Sequence, residues 1–416
     1  MSVIDPQAQR DFALDVVTKL RARGFEALWA GGFVRDQLLG GTPKDYDVAT
    51  SARPEEIREV FGKRRTIPVG AAFGVITVLG PSKSAGQIEV ATFRQDAAYS
   101  DGRHPDAITF STPEADAQRR DFTINGLFFD PVADKVIDYV GGQQDLSQRL
   151  LRAIGNPHER IAEDKLRMLR AARFAARFDF KLDAATRAAV RAMAAEITVV
   201  SAERIATEMR LMLTHATRAH AVSLLAEVGL LAVVLPEVST QAADDWKATL
   251  AELDGLTDPS FPLALAVLVH RFANREQSVE IGARWKLSNK EIDRASWLVE
   301  HKHALRKAAQ QPWPHVQRLL IQDGIDELLA MTSATREDSD ADVAFCREKL
   351  AMPNAELNPP PLVTGNDLRA HGIPPGRVYQ QLLEAVRDAQ LEKKIQSKPE
   401  ALSLAADLYR HRLARD

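Results

Sequence analysis

The chain of 416 residues is long enough for about two to four compact units, and its 45% hydrophobic and 27% charged residues are those of an ordinary globular protein. A net charge of −3 excludes a uniformly basic surface, and the lone Cys346 excludes an internal disulfide or a cysteine-based zinc site. The start, MSVIDPQAQRDF, lacks the features of a secretory signal, and the apolar runs LALAVLV and GLLAVVL are too short to span a bilayer. We therefore expect a cytoplasmic protein with no membrane partner.

The composition changes near residue 150. Before it, short β-rich segments alternate with glycine and proline, and the pattern predicts helices at about 5–22, 31–40 and 54–61. After it, the chain is rich in Ala, Leu and Arg and is predicted to be almost wholly helical. The predicted strands lie in ALWAGGFV, KDYDVAT, FGVITVLG, QIEVATF, DAITFS, FTINGLFFD and KVIDYV. The predicted helix breaks lie at 156–157, 201–202, 235–237, 258–262 and 311–314, before a Pro/Gly-rich segment, AELNPPPLVTGNDLRAHGIPPGR. This order predicts an α+β fold.

A glycine pair follows the first predicted strand, Ala27–Ala30, and precedes a helix. Glycines there let the backbone approach a ligand closely, and the N–H groups at a helix N-terminus attract phosphate. Arg35 lies one turn into the helix, where it would reach the same phosphate. Taken alone, Gly31-Gly32 is more often a tight turn than a phosphate site.

Two carboxylates follow in the segment KDYDVAT, at Asp45 and Asp47. In an extended strand they lie on the same face, where like charges repel unless they share a cation. Mg²⁺ commonly takes one or two carboxylates together with substrate phosphates. An isolated D-x-D is usually a strand end or a turn. Beside a glycine turn, however, it supplies the parts of a nucleotidyl-transfer site that uses two-metal chemistry.

A locally basic segment opens the helical region. Between residues 149 and 177 there are seven arginines and one lysine against three acidic residues, an excess of five positive charges. Within it, Glu163, Asp164 and Arg167 are predicted to lie on one helix at spacings that place neighbouring side chains on one face. The residues alone leave two interpretations open, a solvated face with structural salt bridges or a surface that binds phosphate.

Several motifs in a fixed order resemble the class II tRNA nucleotidyltransferases and bacterial poly(A) polymerases, within the polymerase β-like superfamily. They span nearly the whole chain and are GGFVRD, KDYDVAT, GAAFGVITV, EVATFRQDAAYSDGRHPDAITF, RRDFTINGLFFD, EDKLRMLRAARFAARF, SAERIATEMRLML, WKLSNKEIDRASWLVEH and PLVTGNDLRAHGIPPGRVYQQLLEAV. The resemblance implies a nucleotidyltransferase head with a mixed β-sheet, followed by an elongated all-α neck, body and tail. The implied boundaries are 1–148 for the head, 149–215 for the neck, 216–350 for the body and 351–416 for a tRNA-binding tail.

The resemblance also implies roles for individual residues. Asp45 and Asp47 would be catalytic and would hold two Mg²⁺ ions. Apart from the resemblance, Glu89 is a candidate third ligand on an adjacent strand, although it would serve equally as a partner for Arg94 or as an exposed strand charge. The triphosphate would be bound by Gly31, Gly32, Arg35 and Asn125, and the ribose by Arg120 and Asp121. Arg119, Arg170 and Arg173 are candidates for further contacts to nucleotide or RNA, and for Arg170 and Arg173 packing through their side-chain stems is an equal alternative.

Base selection would fall to Asp164 and Arg167, with Glu163 orienting the arginine. Cytosine and adenine each present an amino donor beside a ring-nitrogen acceptor, which a carboxylate beside a guanidinium matches. Uracil and guanine present the reverse order, and each buried polar group left unpaired costs about 1–3 kcal/mol. The resemblance implies that a flexible loop re-aims this pair between C and A. That loop contains Asp96, Tyr99, Asp101, Gly102 and Arg103.

These features predict a CCA-adding tRNA nucleotidyltransferase that uses CTP and ATP, releases pyrophosphate and needs no stable protein partner. The alternatives are an A-adding enzyme, a poly(A) polymerase, or a non-catalytic RNA-binding protein on the same fold. The basic segment FGKRRTIPV would suit a poly(A) polymerase. A second, His-Asp phosphohydrolase activity is not expected, since His270 is followed by Arg271; we expect His270 to be packed or capping. Gly126 stands where relatives often have alanine.

Overall fold

The computed structural model describes residues 4–41, 46–96, 108–238, 242–335, 339–376 and 378–413. The chain divides into two compact units. The first comprises Met1–Leu250 and Ala283–Leu287, and the second comprises Ala251–Gly282 and Ser288–Asp416. The division into head, neck, body and tail is finer than these two units and stays a prediction.

A mixed sheet forms the centre of the N-terminal half of the first unit, in the strand order β3-β4-β5-β2-β1-β8-β9. Strands β2 and β5 pair in parallel and the other neighbours pair antiparallel. A separate hairpin pairs β6 with β7. The strands are β1 (Ala27–Ala30), β2 (Asp47–Thr50), β3 (Thr66–Gly70), β4 (Val75–Leu79), β5 (Gln87–Thr92), β6 (Arg94–Asp96), β7 (Ile108–Phe110), β8 (Leu127–Asp130) and β9 (Lys135–Asp138).

Helices cover this sheet and bury its apolar side chains. Leu28, Phe93 and Phe128 belong to one buried cluster, and Phe93 meets Phe128 edge to face at 5.9 Å between ring centroids. Such a cluster stabilises the fold because each buried aromatic side chain removes a large apolar area from water. The helices of this part are α1 (Pro6–Ala22), α2 (Gly32–Leu38), α3 (Pro54–Phe61), α4 (Pro113–Gln118) and α5 (Gly142–Ser147).

The rest of the first unit is helical apart from a short parallel pair of strands, β10 (Leu150–Leu151) and β11 (Lys181–Leu182). Helix α7 packs against α9 and α10 through buried Ala, Met and Phe side chains. The helices are α6 (Pro157–Glu163), α7 (Arg167–Phe178), α8 (Ala184–Met193), α9 (Ala202–Leu213), α10 (Arg218–Glu227), α11 (Leu231–Val234) and α12 (Ala243–Asp254), within which the boundary between the two units falls.

In the described part of the second unit, all regular secondary structure is helical. His270 is buried, and its Nε2 lies 2.9 Å from a carboxylate oxygen of Glu252, so it is packed as expected. Burial raises the pKa of the Cys346 thiol to about 11. The helices are α13 (Phe261–Val269), α14 (Arg275–Arg284), α15 (Asn289–His301), α16 (Trp313–Leu320), α17 (Ile325–Thr335), α18 (Asp340–Leu350), α19 (Asn354–Leu357), α20 (Gly365–Ala370), α21 (Val378–Leu391) and α22 (Lys398–Leu413).

In the described ranges, no helix has the length and apolar character needed to cross a membrane.

The predicted α+β order is confirmed, and capping residues explain why several helices begin where they do. Asn156 accepts a hydrogen bond from the N–H of His158, with Pro157 at the first helical position of α6. Ser260 caps α13 in the same manner. The predicted strand FTINGLFFD is only partly correct, because Thr123–Asn125 forms a 3₁₀ turn before β8 begins at Leu127.

Gly126 is explained by its neighbours. A Cβ atom there would lie 2.8 Å from Cγ2 of Val140 and 3.1 Å from Cδ1 of Ile154. Val140 therefore occupies the space that an alanine at position 126 would need. Position 126 is therefore glycine because close packing between the start of β8 and the segment after β9 leaves no room for a side chain.

We predict that Gly126→Ala lowers the free energy of unfolding by about 1–3 kcal/mol, the usual cost of overpacking a core. In a Val140→Ala background, where the space is vacated, the same substitution should cost little or become stabilising. Chemical denaturation of the four proteins of this double-mutant cycle gives the coupling energy. Equal costs in the two backgrounds would contradict the packing explanation.

Candidate active site

Two exposed carboxylates lie side by side on neighbouring strands of the sheet. Asp47 of β2 and Glu89 of β5 are Cα partners in the parallel pair, and both are exposed. On its other side, Asp47 is the Cα partner of Ala30, the last residue of β1. Residues that pair across a ladder point to the same face of a sheet. The register thus places Asp47 between Glu89 and the end of the strand that leads into the glycine pair.

The glycine turn needs its glycine. Gly31 has φ +70°, in the left-handed region, and a Cβ atom there would lie 3.1 Å from Nη1 of Arg120. An aromatic cluster holds the turn from below: Phe33 of α2 packs on Trp29 of β1 and on Tyr46, with ring centroids 4.8 and 4.6 Å away. Tyr46, just before β2, is buried, whereas Asp47 at the start of the strand is exposed.

Part of the predicted site lies outside the described residues. This applies to Asp45, Tyr99, Asp101, Gly102 and Arg103, and the side chain of Asp96 is likewise outside. Within the described part of the chain, no group of three or more His, Cys, Asp or Glu side chains is arranged to hold a metal ion. Asp47 and Glu89 do present oxygen donors, the type that Mg²⁺ prefers, on one face.

Arg35 lies buried beneath the glycine turn. Its Nη1 donates to Oδ1 of Asn125 at 2.6 Å, its Nη2 contacts Asp36 at 2.7 Å, and its guanidinium stacks 4.5 Å from the centroid of Phe178. Burial lowers the pKa of Arg35, although Asp36 opposes the shift. Direct contact of Arg35 with a triphosphate stays a prediction; the structure shows it binding the side chain of another predicted site residue, Asn125.

Asp121 connects that arrangement to helix α7. Its Oδ1 accepts from Asn125 Nδ2 at 3.0 Å and from the N–H of Phe122 at 2.8 Å, while Oδ2 accepts from Arg170 at 2.6 Å. Burial raises the pKa of Asp121, but Arg170 and the other donors outweigh this and leave it below its usual value. Three groups already donate hydrogen bonds to Asp121, and the predicted contact with a ribose would be made in addition to these.

The arginines of α7 share a buried acid of α9. Nε of Arg173 donates to Oε2 of Glu208 at 2.6 Å, and Nη1 of Arg170 lies 3.9 Å from Oε1 of the same residue. Arg173 and Glu208 are both buried. Arg170 and Arg173 thus take part in a packed ion-pair network that runs from the sheet into the helices.

One prediction about the neck is wrong. Glu163, Asp164 and Arg167 do not lie on one continuous helix, because α6 ends at Glu163, Asp164 is extended with φ −145° and ψ 105°, and α7 begins at Arg167. The Asp164 carboxylate accepts from the N–H of Leu166, which stabilises the break, and pairs with Arg204 at 2.8 Å.

The expected contact between Glu163 and Arg167 is present despite the break. Nη1 of Arg167 lies 2.5 Å from Oε2 of Glu163, which also accepts from Arg160 at 2.9 Å. Nη2 of Arg167 donates to the carbonyl oxygen of Arg119 at 3.2 Å. Arg167 therefore joins α6, α7 and the RRD segment. That Glu163 orients Arg167 for base selection stays a prediction.

A pocket of about 460 Å³ lies next to this contact. It is large enough for a small organic group, and both acidic and basic side chains face it. Its lining residues are Gln95, Thr112, Glu114, Ala115, Gln118, Arg119, Arg160 and Glu163.

Three buried or half-buried partners of the predicted residues escaped the sequence reasoning: Asp116, Arg204 and Glu208. Asp116 contacts Arg119 and Arg120, Arg204 contacts Asp164, and Glu208 contacts Arg173. Only Asp116 carried a usable signal, because D-x-x-R-R places one acid at i,i+3 and i,i+4 from two arginines. Arg204 and Glu208 are distant in sequence.

Comparison with known proteins places this geometry in a class. Residues 27–152 match the Poly A polymerase head domain, and residues 179–241 match the probable RNA and SrmB-binding site of polymerase A. The head match defines the chain as a nucleotidyltransferase, as the sequence predicted. A CCA-adding enzyme of Enterococcus faecalis is 32% identical over 395 residues, which cover 94% of each protein. That identity along almost the whole chain shows that it belongs to the family of CCA-adding enzymes, which generally use divalent metal ions.

Solved structures agree with this assignment. The crystal structure of a Bacillus stearothermophilus CCA-adding enzyme in complex with CTP is 28% identical, with a TM-score of 0.77 over 98% of this chain and 99% of that one. A Thermotoga maritima CCA-adding enzyme complexed with tRNA is 21% identical and shares the fold, with a TM-score of 0.68 over 98% and 97% of the two chains. The predicted sheet-containing head and helical C-terminal region are confirmed.

We predict that Asp121→Asn lowers the free energy of unfolding at pH 7 by about 2–3 kcal/mol. Removing one partner of a fully buried ion pair costs more free energy than this. We expect the smaller loss because 33% of the Arg170 side chain is exposed to water. Because the folded-state pKa of Asp121 lies below 3.8, its stabilising contribution is complete above that pH and is lost as the pH falls further.

Denaturant unfolding of both proteins at pH 7, 5, 4 and 3 measures the effect. The difference between wild type and Asp121→Asn should be constant from pH 7 to 5 and shrink below about pH 4. A difference that stays the same down to pH 3 would show that the charge of Asp121 contributes nothing.

Proposed function

We propose that this chain adds C, C and A to the 3′ ends of tRNA without a nucleic-acid template, using CTP and ATP and releasing pyrophosphate. The observation that carries the proposal is the strand register, in which the exposed Glu89 and Asp47 lie beside each other and Asp47 lies beside the strand that ends at the glycine turn. The relatives named above add CCA, and two of them are described with CTP or tRNA bound.

Metal binding would fall to Asp45 and Asp47, with Glu89 as a further candidate ligand. Carboxylate oxygens suit Mg²⁺, and we propose two such ions. When bound, Mg²⁺ would polarise the α-phosphoryl group and stabilise the charge that develops on the oxygens. In the transfer, the 3′-hydroxyl of tRNA loses its proton to solvent and its oxygen forms a bond to the α-phosphorus. The bond between that phosphorus and the α–β bridging oxygen breaks, and pyrophosphate leaves.

Nucleotide binding would involve the turn and the RRD segment. Gly31 and Gly32 carry no Cβ atom, so two arginines can lie close to their backbone: a Cβ at position 31 would stand 3.1 Å from Nη1 of Arg120, and one at position 32 would stand 3.3 Å from Nη2 of Arg35. A phosphate bound at this turn would meet these guanidinium groups. Arg120 and Asp121 would hold the ribose. Arg35 and Asn125, which bind each other, would support the triphosphate from beneath the turn.

Base selection would use Asp164 and Arg167. Each is already held by a neighbour, Asp164 by Arg204 and Arg167 by Glu163. Held in this way, a carboxylate and a guanidinium keep a fixed order of acceptor and donor, which suits cytosine and adenine and opposes uracil and guanine. Base selection by protein side chains needs no template strand. The helical region and tail would bind tRNA mainly through phosphate contacts and shape, in the cytoplasm.

The direct test is nucleotide incorporation into two tRNAs, one ending at the discriminator base and one ending in CC. Each is incubated with CTP, ATP, UTP and GTP singly and with CTP plus ATP, and the products are resolved at single-nucleotide length. We expect the first tRNA to gain C, C and A and then stop. Reaction of the CC-ended tRNA alone, with ATP alone, would mean an A-adding enzyme, and a long A ladder would mean a poly(A) polymerase. No incorporation would leave an RNA-binding protein.

We predict that Asp47→Asn lowers the rate of incorporation by roughly 10³-fold or more, the scale of losing a catalytic group. Glu89→Gln should cost less, about 10–100-fold, and should raise the Mg²⁺ concentration needed for half-maximal rate. Glu59→Gln, on the exposed side of α3, is the matched control and should behave as wild type. An active Asp47→Asn protein would overturn the metal assignment, and an unchanged Mg²⁺ titration would remove Glu89 from it.

We predict that Glu163→Gln weakens the discrimination against UTP and GTP by about tenfold, since each mismatched polar group is worth about 1–3 kcal/mol. The loss should appear as misincorporation in the single-nucleotide assay rather than as a lower total rate. Glu159→Gln is the control on the same helix, because Glu159 is exposed and accepts a hydrogen bond from Asn156. Unchanged selectivity in Glu163→Gln would make its contact with Arg167 purely structural.

A further inference from the structure

Asp116 is a buried acid directly below the RRD segment. It lies in α4 with only 1% of its surface exposed. Its Oδ1 accepts from Arg119 at 2.7 Å and its Oδ2 accepts from Arg120 at 3.0 Å. One carboxylate thus holds two consecutive guanidinium groups, each by a different oxygen. Burial raises the pKa of Asp116, but the two arginines outweigh this and keep it below its usual value.

The bond to Asp116 fixes the direction of Arg120. Nε and Nη2 both donate to Oδ2 of Asp116, at 3.2 and 3.0 Å, and Nη1 donates to the carbonyl oxygen of Asn125 at 3.2 Å. The guanidinium also lies 5.0 Å from the ring centroid of Phe128. These bonds use three of the five N–H groups of a guanidinium. The others remain for a ligand beside Gly31, whose missing Cβ would have stood 3.1 Å from Nη1.

The other carboxylate oxygen of Asp116, Oδ1, fixes the orientation of Arg119. Arg119 lines the 460 Å³ pocket together with Glu163, and its backbone carbonyl accepts from Arg167. The N–H of Arg94, the first residue of β6, also donates to Oδ1 of Asp116 at 3.3 Å. The same carboxylate therefore connects strand β6, the glycine turn and the neck contact.

We infer that Asp116 is a positioning residue, which acts on the nucleotide through Arg120 and Arg119 rather than by touching it. The inference rests on the proposed function for the identity of the ligand. An ionised carboxylate accepts hydrogen bonds at both oxygens, so it can serve two arginines at once. An asparagine of the same shape has one acceptor oxygen and one amide that would face a guanidinium, donor against donor. The effect of replacing Asp116 by asparagine should therefore appear in nucleotide binding.

The test compares Asp116→Asn with wild type in ATP addition to CC-ended tRNA. The measured quantities are kcat, KM for ATP, and the ratio of kcat/KM for ATP to that for 2′-deoxy-ATP. We expect Asp116→Asn to raise KM about tenfold or more, within the 10²-fold range that a misplaced group costs, and to narrow the ATP/2′-deoxy-ATP ratio. Asp116→Glu, which keeps the charge, should restore both KM and the ATP/2′-deoxy-ATP ratio part of the way to their wild-type values.

A matched control separates positioning from folding. Glu252→Gln neutralises another buried carboxylate that contacts two basic side chains, His270 and Arg271, in the second unit. It should lose a comparable amount of stability and keep the wild-type KM and ratio. Wild-type KM and ratio in Asp116→Asn, with only kcat or the folded fraction reduced, would overturn the inference.

A double-mutant cycle with Arg120→Lys tests the route of the effect. If Asp116 acts through Arg120, the double variant should be little worse in KM than Arg120→Lys alone, whereas independent effects would multiply and contradict that route. Should Asp116→Asn not fold, Asp116→Glu with a wild-type KM and ratio would overturn the inference instead. Equilibrium binding of ATP without tRNA gives a readout that does not depend on tRNA addition. A wild-type protein that binds ATP but extends no tRNA would refute the proposed function alone.

Discussion

The pairing of Asp121 with Arg170 is the interaction on which the rest of the site depends. A carboxylate removed from water must be matched by donors, and Asp121 takes them from Arg170, Asn125 and the backbone of Phe122. Through Asn125 the same pair holds Arg35 beneath the glycine turn. The sheet and helix α7 are thereby fixed relative to each other within the first unit, and a shift of either would leave buried charges unpaired.

The arginines predicted to touch substrate are also structural, and the two roles are compatible. A guanidinium has five donors in a rigid plane, and an ion pair at one edge leaves the other edge pointing in a fixed direction. Arg120 is held by Asp116 at one edge and lies beside Gly31 at another. Arranged in advance, such a group loses little side-chain entropy when a ligand arrives. A salt bridge to Asp116 therefore does not exclude a role for Arg120 in binding a ligand.

Local chemistry was predictable from sequence and long-range pairing was not. Caps and prolines gave α6 and α13 their correct starts, because their signals lie within a few residues. The spacing of Glu163 and Arg167 predicted their contact, but counting residues could not show that Asp164 leaves the helix to bind Leu166 and Arg204. Glu89 was a candidate by residue type alone. Its place beside Asp47 is a matter of strand register, which depends on pairing between segments that are distant in sequence.

The missed acids follow a common physical rule. Sequence motifs direct attention to residues with distinctive chemistry, whereas the residues that aim them are ordinary acids whose importance comes from burial. Asp116 and Glu208 are 1% and 4% exposed, and each forms ion pairs with two arginines. Low exposure makes such an acid costly to retain unless every partner is in place, so it holds its arginines more firmly than a surface pair would. A buried acid that contacts two predicted site residues is therefore itself a candidate for the site, even where its sequence context resembles an ordinary helix surface.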